Sequence, residues 1–270
     1  MVLKLFKSLF GRSERAGPCA LKDRRVFAIG DIHGCDALLE AMLGAIAQAT
    51  AKDANPPLLV FLGDYVDRGL GSRAVIERLV NLKQDGWDAY FLCGNHEETM
   101  LRFLDDIERG LAWPGYGGVE TMLSYGVQAD KTPDTLPAWR AVQHEFRAAI
   151  PLSHMRFLRG LEDQLELGDY LFVHAGINPQ RALNDQTSRD LRWIRDPFLL
   201  DDKVQDKIIV HGHTPSGAPH HDHRRIGVDT WAYNSGVLTA AEMHDATVRF
   251  LQVRQTETGI VSAFLQAGAV

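Results

Sequence analysis

The chain has 270 residues, 45% of them hydrophobic, and a formal net charge of -6; this is enough apolar material for one sizeable core, and one large domain is favoured over two. Both signs of charge are spread along the chain, so no basic face marks a general nucleic-acid binder. Cys19, Cys35 and Cys93 are widely separated and odd in number, which suits neither a disulfide framework nor a zinc knuckle and points to a reducing, cytoplasmic setting.

The N-terminal stretch MVLKLFKSLFGRSERAG has no long apolar h-region and no small-residue cleavage site, so no signal peptide is expected. No stretch is long and apolar enough to span a bilayer. Val2, Leu5, Phe6 and Leu9 recur at helical spacing with Lys4 and Lys7 between them. A weak membrane-surface contact through residues 1–16 would use that pattern, but a helix packed on its own domain, or a frayed end, is the plainer reading. Residues 1–20 are set apart as a tail or short amphipathic helix, and residues 21–270 as one domain.

Residues 26–29 read as a strand, and 35–49 as a helix with Leu38, Leu39, Met42, Leu43 and Ile46 on one face. A second strand, 58–62, precedes a helix over 72–83 that buries Val75, Ile76, Leu79 and Val80. A third strand, 89–93, precedes a helix over 97–108. This alternation, with continuously apolar strands, implies an α/β sheet covered on both faces and at least partly parallel. Residues 110–160 read as a helical insert, with helical patterns near 139–149 and 153–161. The final third turns to shorter strands at 170–173, 208–210, 226–228, 248–253 and 260–265, which predicts a second, more antiparallel sheet.

Each apolar run ends in chemistry. VFAI is followed by GDIHG, LLVFL by GDYVDRG, AYFLC by GNHE, YLFV by HAG, and IIV by HGHTP. Sites in open α/β sheets gather outside the carboxyl ends of strands, so Asp31, His33, Asp64, Asn95, His174 and a histidine of HGHTP are expected on one rim. Oxygen and imidazole donors without thiolates suit divalent Mn, Fe, Zn, Co or Ni. That many donors exceed what one catalytic ion uses, and two ions about 3.5–4 Å apart sharing a carboxylate would occupy them. A buried aspartate between two cations is no longer costly. Each motif alone is weak, since Gly-Asp turns and lone histidines are common; their joint recurrence after apolar runs is what carries the reading. Periodicity does not separate His211 from His213.

In this order, GDIHG, GDYVDRG, GNHE, HAG and HGHTP resemble the phosphoprotein phosphatase family of dinuclear metallophosphoesterases, above all its single-domain bacterial and bacteriophage members. The resemblance runs from about residue 25 to 266. It implies a calcineurin-like four-layer sandwich of two mixed β-sheets flanked by helices, and hydrolysis of phosphate monoesters by direct attack of a metal-bridging hydroxide. By position, Asp31 and His33 would hold the first ion, Asp64 would bridge, and Asn95, His174 and His213 would hold the second, with manganese the expected metal. Asp67 would pair with His96, keeping it protonated as the general acid. Arg68 and Arg195, with Asn95, would bind phosphate oxygens.

The resemblance makes a serine/threonine protein phosphatase, acting on phosphoprotein or phosphopeptide, the first expectation; no obligate partner is implied. HAGI also resembles the symmetrical diadenosine tetraphosphatases, the main alternative, although those enzymes typically carry alanine at the position of Asp67 and GNHD in place of GNHE. A non-catalytic phosphoprotein binder is the third reading, weakened because every ligand position and both dyad residues are kept. Cys93 stands where many members have arginine, as a buried small residue or a redox-sensitive thiol. Trp231 stands where relatives usually have glycine, either narrowing the site mouth or filling a gap. WPGYGG, residues 113–118, resembles a segment bordering the active site, and the His220–His223 stretch reads as a solvated loop.

Overall fold

The computed structural model describes residues 17–128 and 133–265; the expected N-terminal helix over residues 1–16 lies outside them. The first half follows the expected alternation: β1 (Val26–Ile29), α1 (Asp36–Thr50), β2 (Leu58–Phe61), α2 (Ser72–Asn81), β3 (Asp88–Phe91) and α3 (Asn95–Asp105). Helix α3 stops short of the expected 97–108 because Asp106 turns extended, at φ -143 and ψ 101, and caps a new helix. Its carboxylate accepts the N–H groups of Glu108 and Arg109 at 3.1 and 3.3 Å.

That new helix is α4 (Ile107–Gly110), followed by a 3-10 turn at Trp113–Tyr116, α5 (Gly118–Ser124), α6 (Leu136–Ala149) and α7 (Leu152–Arg159). Beyond them come β4 (Gln164–Leu167), β5 (Tyr170–Val173), α8 (Ser188–Trp193), α9 (Asp196–Leu199), β6 (Ile208–His211), β7 (His220–His221) and β8 (Arg225–Gly227). The described chain closes with α10 (Ala232–Ser235), β9 (Val237–His244), β10 (Thr247–Thr256) and β11 (Gly259–Phe264).

Two mixed sheets result. One has the order β11-β10-β9-β1-β2-β3 and the other β4-β5-β6-β8-β7. Strands β1, β2 and β3 run parallel, in the register Val26↔Leu58 and Leu58↔Asp88. Side chains alternate across the pleat. Phe27, Ile29, Leu59 and Phe61 therefore pack with Leu39, Met42 and Ile46 of α1 in the helix-side core. Val26, Ala28, Leu58 and Val60 face the other way, into Phe172, Val210 and Ile226 of the second sheet. The far face of that sheet is closed by Leu191 of α8 and Phe198 of α9, packed on Leu171, Val173 and Ile209. The layers are helix, sheet, sheet, helix.

The expectation that the last strands form the second sheet needs correcting. Strands β10 and β11 extend the first sheet, through β9, which pairs antiparallel with β1 in the register Val26↔Met243. Strand β9, VLTAAEMH, had no place in the sequence reading because its alanines and Glu242 hide an apolar run. Glu242 is buried at 1% exposure, and Arg249 of β10 offsets its charge at 2.6 Å. The second sheet is not mainly antiparallel either: β5, β6 and β8 run parallel.

Candidate active site

The carboxyl ends of β1, β2, β5 and β6, with the loops after β3 and β8, meet across the boundary between the two sheets. Asp31, His33, Asp64, Asn95, His96 and His213 line one cleft, with Arg68 and Arg195 at its side. The backbone is bent to aim them: His33, Asp64, Asp67, Arg68, His213 and Trp231 all have positive φ. Such angles cost energy in non-glycine residues and persist where the surroundings over-determine them. Much of that constraint comes from Glu97. Its buried carboxylate accepts the N–H groups of Asp64 (2.8 Å), Tyr65 (2.7 Å), Val66 (3.2 Å) and Gly94 (3.0 Å), fastening the GDYVDRG loop to the GNHE loop. Gly94 is required there, because a Cβ would strike the Asp64 carboxylate.

Whether these residues suit metal ions can be judged from their own bonding. The donor atoms of Asp64, His174 and His213 lie within 4.8 Å of one another, as do those of His33, Asp64 and His96. His33 donates its Nδ1–H to the Val66 carbonyl at 2.9 Å, and His174 donates its Nδ1–H to the Leu62 carbonyl at 2.8 Å. Both rings thereby keep Nε2 for the cleft, the usual outer bonding of a ligand histidine. The buried Nε2 of His213 has no hydrogen-bond partner. Burial pushes His33 down to about 4 and His213 down to about 2, so both are neutral donors at pH 7.

The two central carboxylates are held in opposite ways. Burial, with repulsion from Asp229 and Asp64, holds Asp31 well above the usual carboxylate range. Asp64 is also penalised by burial, yet His174, His96 and His33 pull it well below that range. Burial opposes a proton on His174, but the charge of Asp64 raises it overall. A proton there is what a divalent cation would displace. The residues present therefore fit divalent cations, with Asp64 shared between two donor groups, one with His33 and His96 and one with His174 and His213, and Asp31 accepting the His213 N–H at 3.1 Å beside them. Asn95 Oδ1 and His174 Nε2 are 3.0 Å apart, close enough to serve one ion. His211 turns away, with Nε2 3.1 Å from Arg225 Nη1 and its ring edge-on to Phe198, so the two histidines of HGHTP divide: His213 faces the cleft.

His96 faces the same cleft with a different partner. Its Nδ1 lies 2.6 Å from Asp67 Oδ2. Asp67 also accepts Trp113 Nε1–H at 2.9 Å on the same oxygen and the Thr121 hydroxyl at 2.7 Å on the other. Burial opposes charge on His96, but Asp64 and Asp67 outweigh it and raise it to about 9. Arg68 and Arg195 form no ion pair among the described residues, although the guanidinium of Arg68 lies 5.7 Å from the Tyr233 ring centre. Two unpaired guanidiniums beside a small cleft of 90 Å³ are suited to an anion. A larger cavity of 680 Å³, lined by Glu98, Arg102, Arg189 and Trp193, holds none of the donor residues.

The sequence reading gives no role to Glu97, Asp229, Thr121 or Tyr233, and places Trp113 only in a segment resembling one that borders the active site. Asp229 follows β8 as the other donors follow their strands, so the same strand-end rule would have found it. Thr121 and Trp113 had no such signal, because only the docking of the helical insert brings them to Asp67. Cys93 is buried, and burial pushes its thiol up, which fits an inert small residue. Trp113 is likewise buried against Asp67, so this part of WPGYGG braces the dyad.

Residues 24–241 match the sequence pattern of the calcineurin-like phosphoesterase family. The chain is 25% identical over 237 residues to the asymmetrical bis(5'-nucleosyl)-tetraphosphatase PrpE of Anoxybacillus flavithermus, across 78% of this chain and 87% of that protein. It is 30% identical over 155 residues to the symmetrical bis(5'-nucleosyl)-tetraphosphatase of an Acidovorax species, across 57% of this chain and 45% of that protein. The fold is similar to that of a cold-active protein-tyrosine phosphatase from Shewanella, with a TM-score of 0.51 and 15% identity over 92% of this chain and 83% of that one. With the family pattern running from just before β1 into β9, and the donor set gathered where its strands end, the chain belongs to the calcineurin-like phosphoesterases.

Proposed function

We propose that this protein hydrolyses a phosphoanhydride bond of bis(5'-nucleosyl) tetraphosphates, with cleavage to one mono- and one triphosphate favoured over two diphosphates. The observation that carries phosphoester chemistry is the cleft itself: a cation-demanding donor set, two unpaired arginines and a protonated His96 share one small space. The substrate class rests on the relatives. Proteins named asymmetrical tetraphosphatases align over most of both chains, whereas the symmetrical one aligns over a shorter segment. This reverses the first expectation from sequence, which put protein phosphatase ahead of nucleotide hydrolase.

Two divalent cations held by Asp31, His33, Asp64, Asn95, His174 and His213 would neutralise the converging carboxylates and acidify a water for attack on phosphorus. Arg68 and Arg195 grip non-bridging oxygens, and the planar guanidinium holds them in a fixed orientation. Water supplies a hydroxyl to phosphorus, and the P–O bond to the leaving oxygen breaks. With Nδ1 committed to Asp67, His96 has Nε2 to deliver the proton to that oxygen. Asp67 keeps the imidazolium charged and oriented, and Trp113 and Thr121 keep Asp67 in place.

A second reading, phosphoprotein phosphatase, is favoured by the His96–Asp67 contact at 2.6 Å, because an alkoxide leaving group needs a general acid more than a polyphosphate does. The deciding experiment compares kcat/KM for diadenosine tetraphosphate and for a phosphoserine peptide, on metal-stripped protein restored with Mn²⁺ and with an EDTA control. Strong preference for the dinucleotide supports the proposal. Strong preference for the peptide replaces it with the second reading.

A further inference from the structure

Trp231 is out of keeping with an ordinary packing role. Its backbone sits at φ 64 and ψ 47, the left-handed region that a bulky side chain adopts only at a cost. The strain brings no compensating burial, since the residue is 44% exposed. The backbone is held by its own N–H, which donates to Asp229 Oδ1 at 2.8 Å, and by its carbonyl, which accepts from Asn234 and Ser235 at 2.9 and 2.8 Å. Among the described residues the indole has one aromatic neighbour, Tyr233, edge-on at 6.2 Å and 85°. Tyr233 is itself braced edge-on against His33 at 5.2 Å and lies near the Arg68 guanidinium. The Trp231 ring thus stands at the rim of the phosphoryl cleft, supported from one edge.

A phosphoryl group held by Arg68 and Arg195 must carry its substituent out through that rim, because the cleft has room for little more than the reacting group. We propose that Trp231 stacks on the nucleobase of the nucleotide substrate and is the specificity-determining residue of the cleft. A two-ring indole matches the area of a purine, and base–aromatic stacking needs no hydrogen-bond code. The inference rests on the nucleotide reading above and adds to it the residue that recognises the base.

The test uses the metal-loaded full chain and the variants Trp231→Gly and Trp231→Phe. Glycine takes the left-handed conformation without strain, so Trp231→Gly should fold as well as the parent, with thermal melting as the check. The first readout is the ratio of kcat/KM for diadenosine tetraphosphate to that for inorganic tripolyphosphate, which has the anhydride but no base. That ratio should fall by about tenfold in Trp231→Gly, through KM, and stay near the parent value in Trp231→Phe. An unchanged ratio in Trp231→Gly overturns the stacking role.

The second readout is competitive inhibition of tripolyphosphate hydrolysis by adenosine monophosphate, by phosphotyrosine and by inorganic phosphate. Weakening of the nucleotide alone supports stacking on a base. Equal weakening of nucleotide and phosphate, or weakening of phosphotyrosine alone, overturns it. If the parent enzyme cleaves tripolyphosphate and leaves the dinucleotide intact, the proposed substrate fails, and the stacking role is still decided by the inhibition constants.

Discussion

Replacing Asp67 with asparagine separates the orientation of His96 from its charge. The side chain keeps its shape, and its amide oxygen can still accept from His96 Nδ1 and Trp113 Nε1, while its amide nitrogen can donate to the Thr121 hydroxyl. What is lost is the negative charge that, with Asp64, raises His96 to about 9 from a reference of 6.5. Burial acts against the imidazolium while Asp64 still favours it, so without Asp67 His96 should titrate lower, toward its reference value. At pH 8 a group with a pKa of about 9 is ~90% protonated, and one at about 6.5 is ~3% protonated, a loss of ~30-fold in the acid form. At pH 6 the two differ by less than ~1.5-fold. A pH–rate profile of kcat on a phosphoserine peptide, whose alkoxide leaving group needs the proton, should therefore show the variant near parent activity at pH 6 and far below it at pH 8. A constant deficit across that range, with both profiles parallel, would refute His96 as a charged acid maintained by Asp67.

Other outcomes follow from the same geometry. His96→Asn should retain metal by elemental analysis and lose about 10²–10⁴ in kcat on the peptide, with a smaller loss on a dinucleotide whose leaving polyphosphate is already stable; equal losses would remove the proton-donor role. Stripping metal with EDTA should lower the melting temperature and re-addition should restore it, because Asp31, Asp64 and Asp229 are buried together; binding at a hundred times Kd contributes about 2.7 kcal/mol, and an unchanged melt would argue against resident ions. Glu97→Gln replaces one oxygen that accepts N–H groups with a competing donor, and should destabilise by about 1–3 kcal/mol in chemical denaturation. Arg195→Lys should raise KM with metal content unchanged, since the two-pronged hold on phosphate is lost.

The candidate donor positions were legible because most of them follow a short apolar run, where burial and strand-end geometry combine. Asp31, Asp64 and His174 are found from that rule without any helix boundary being right. The topology was harder. Strand β9 was missed because charge neutralisation by Arg249 lets Glu242 sit in a buried strand, and nothing local announces a partner from the next strand. Trp113 and Thr121 were missed because their value to Asp67 depends on how an insert folds back, a contact across 46 residues in the case of Trp113. The substrate class was legible only as the alternative, since HAGI resembles diadenosine tetraphosphatases while the dyad put protein phosphatase first, and the relatives favour the former.

The place of β9 between β1 and β10 also bears on how the chain is made. Strand β1 ends at Ile29, but its antiparallel neighbour lies far downstream, at Val237–His244. During synthesis one edge of β1 has its hydrogen-bonding groups open until β9 has emerged, and an open apolar edge invites pairing with the wrong chain. Folding should accordingly be late and slow, with long-range contacts deciding its rate. Because His213 also lies far downstream of Asp31 and Asp64, a nascent or truncated chain that lacks it cannot assemble the full donor set, so activity should arrive only once the chain has passed His213.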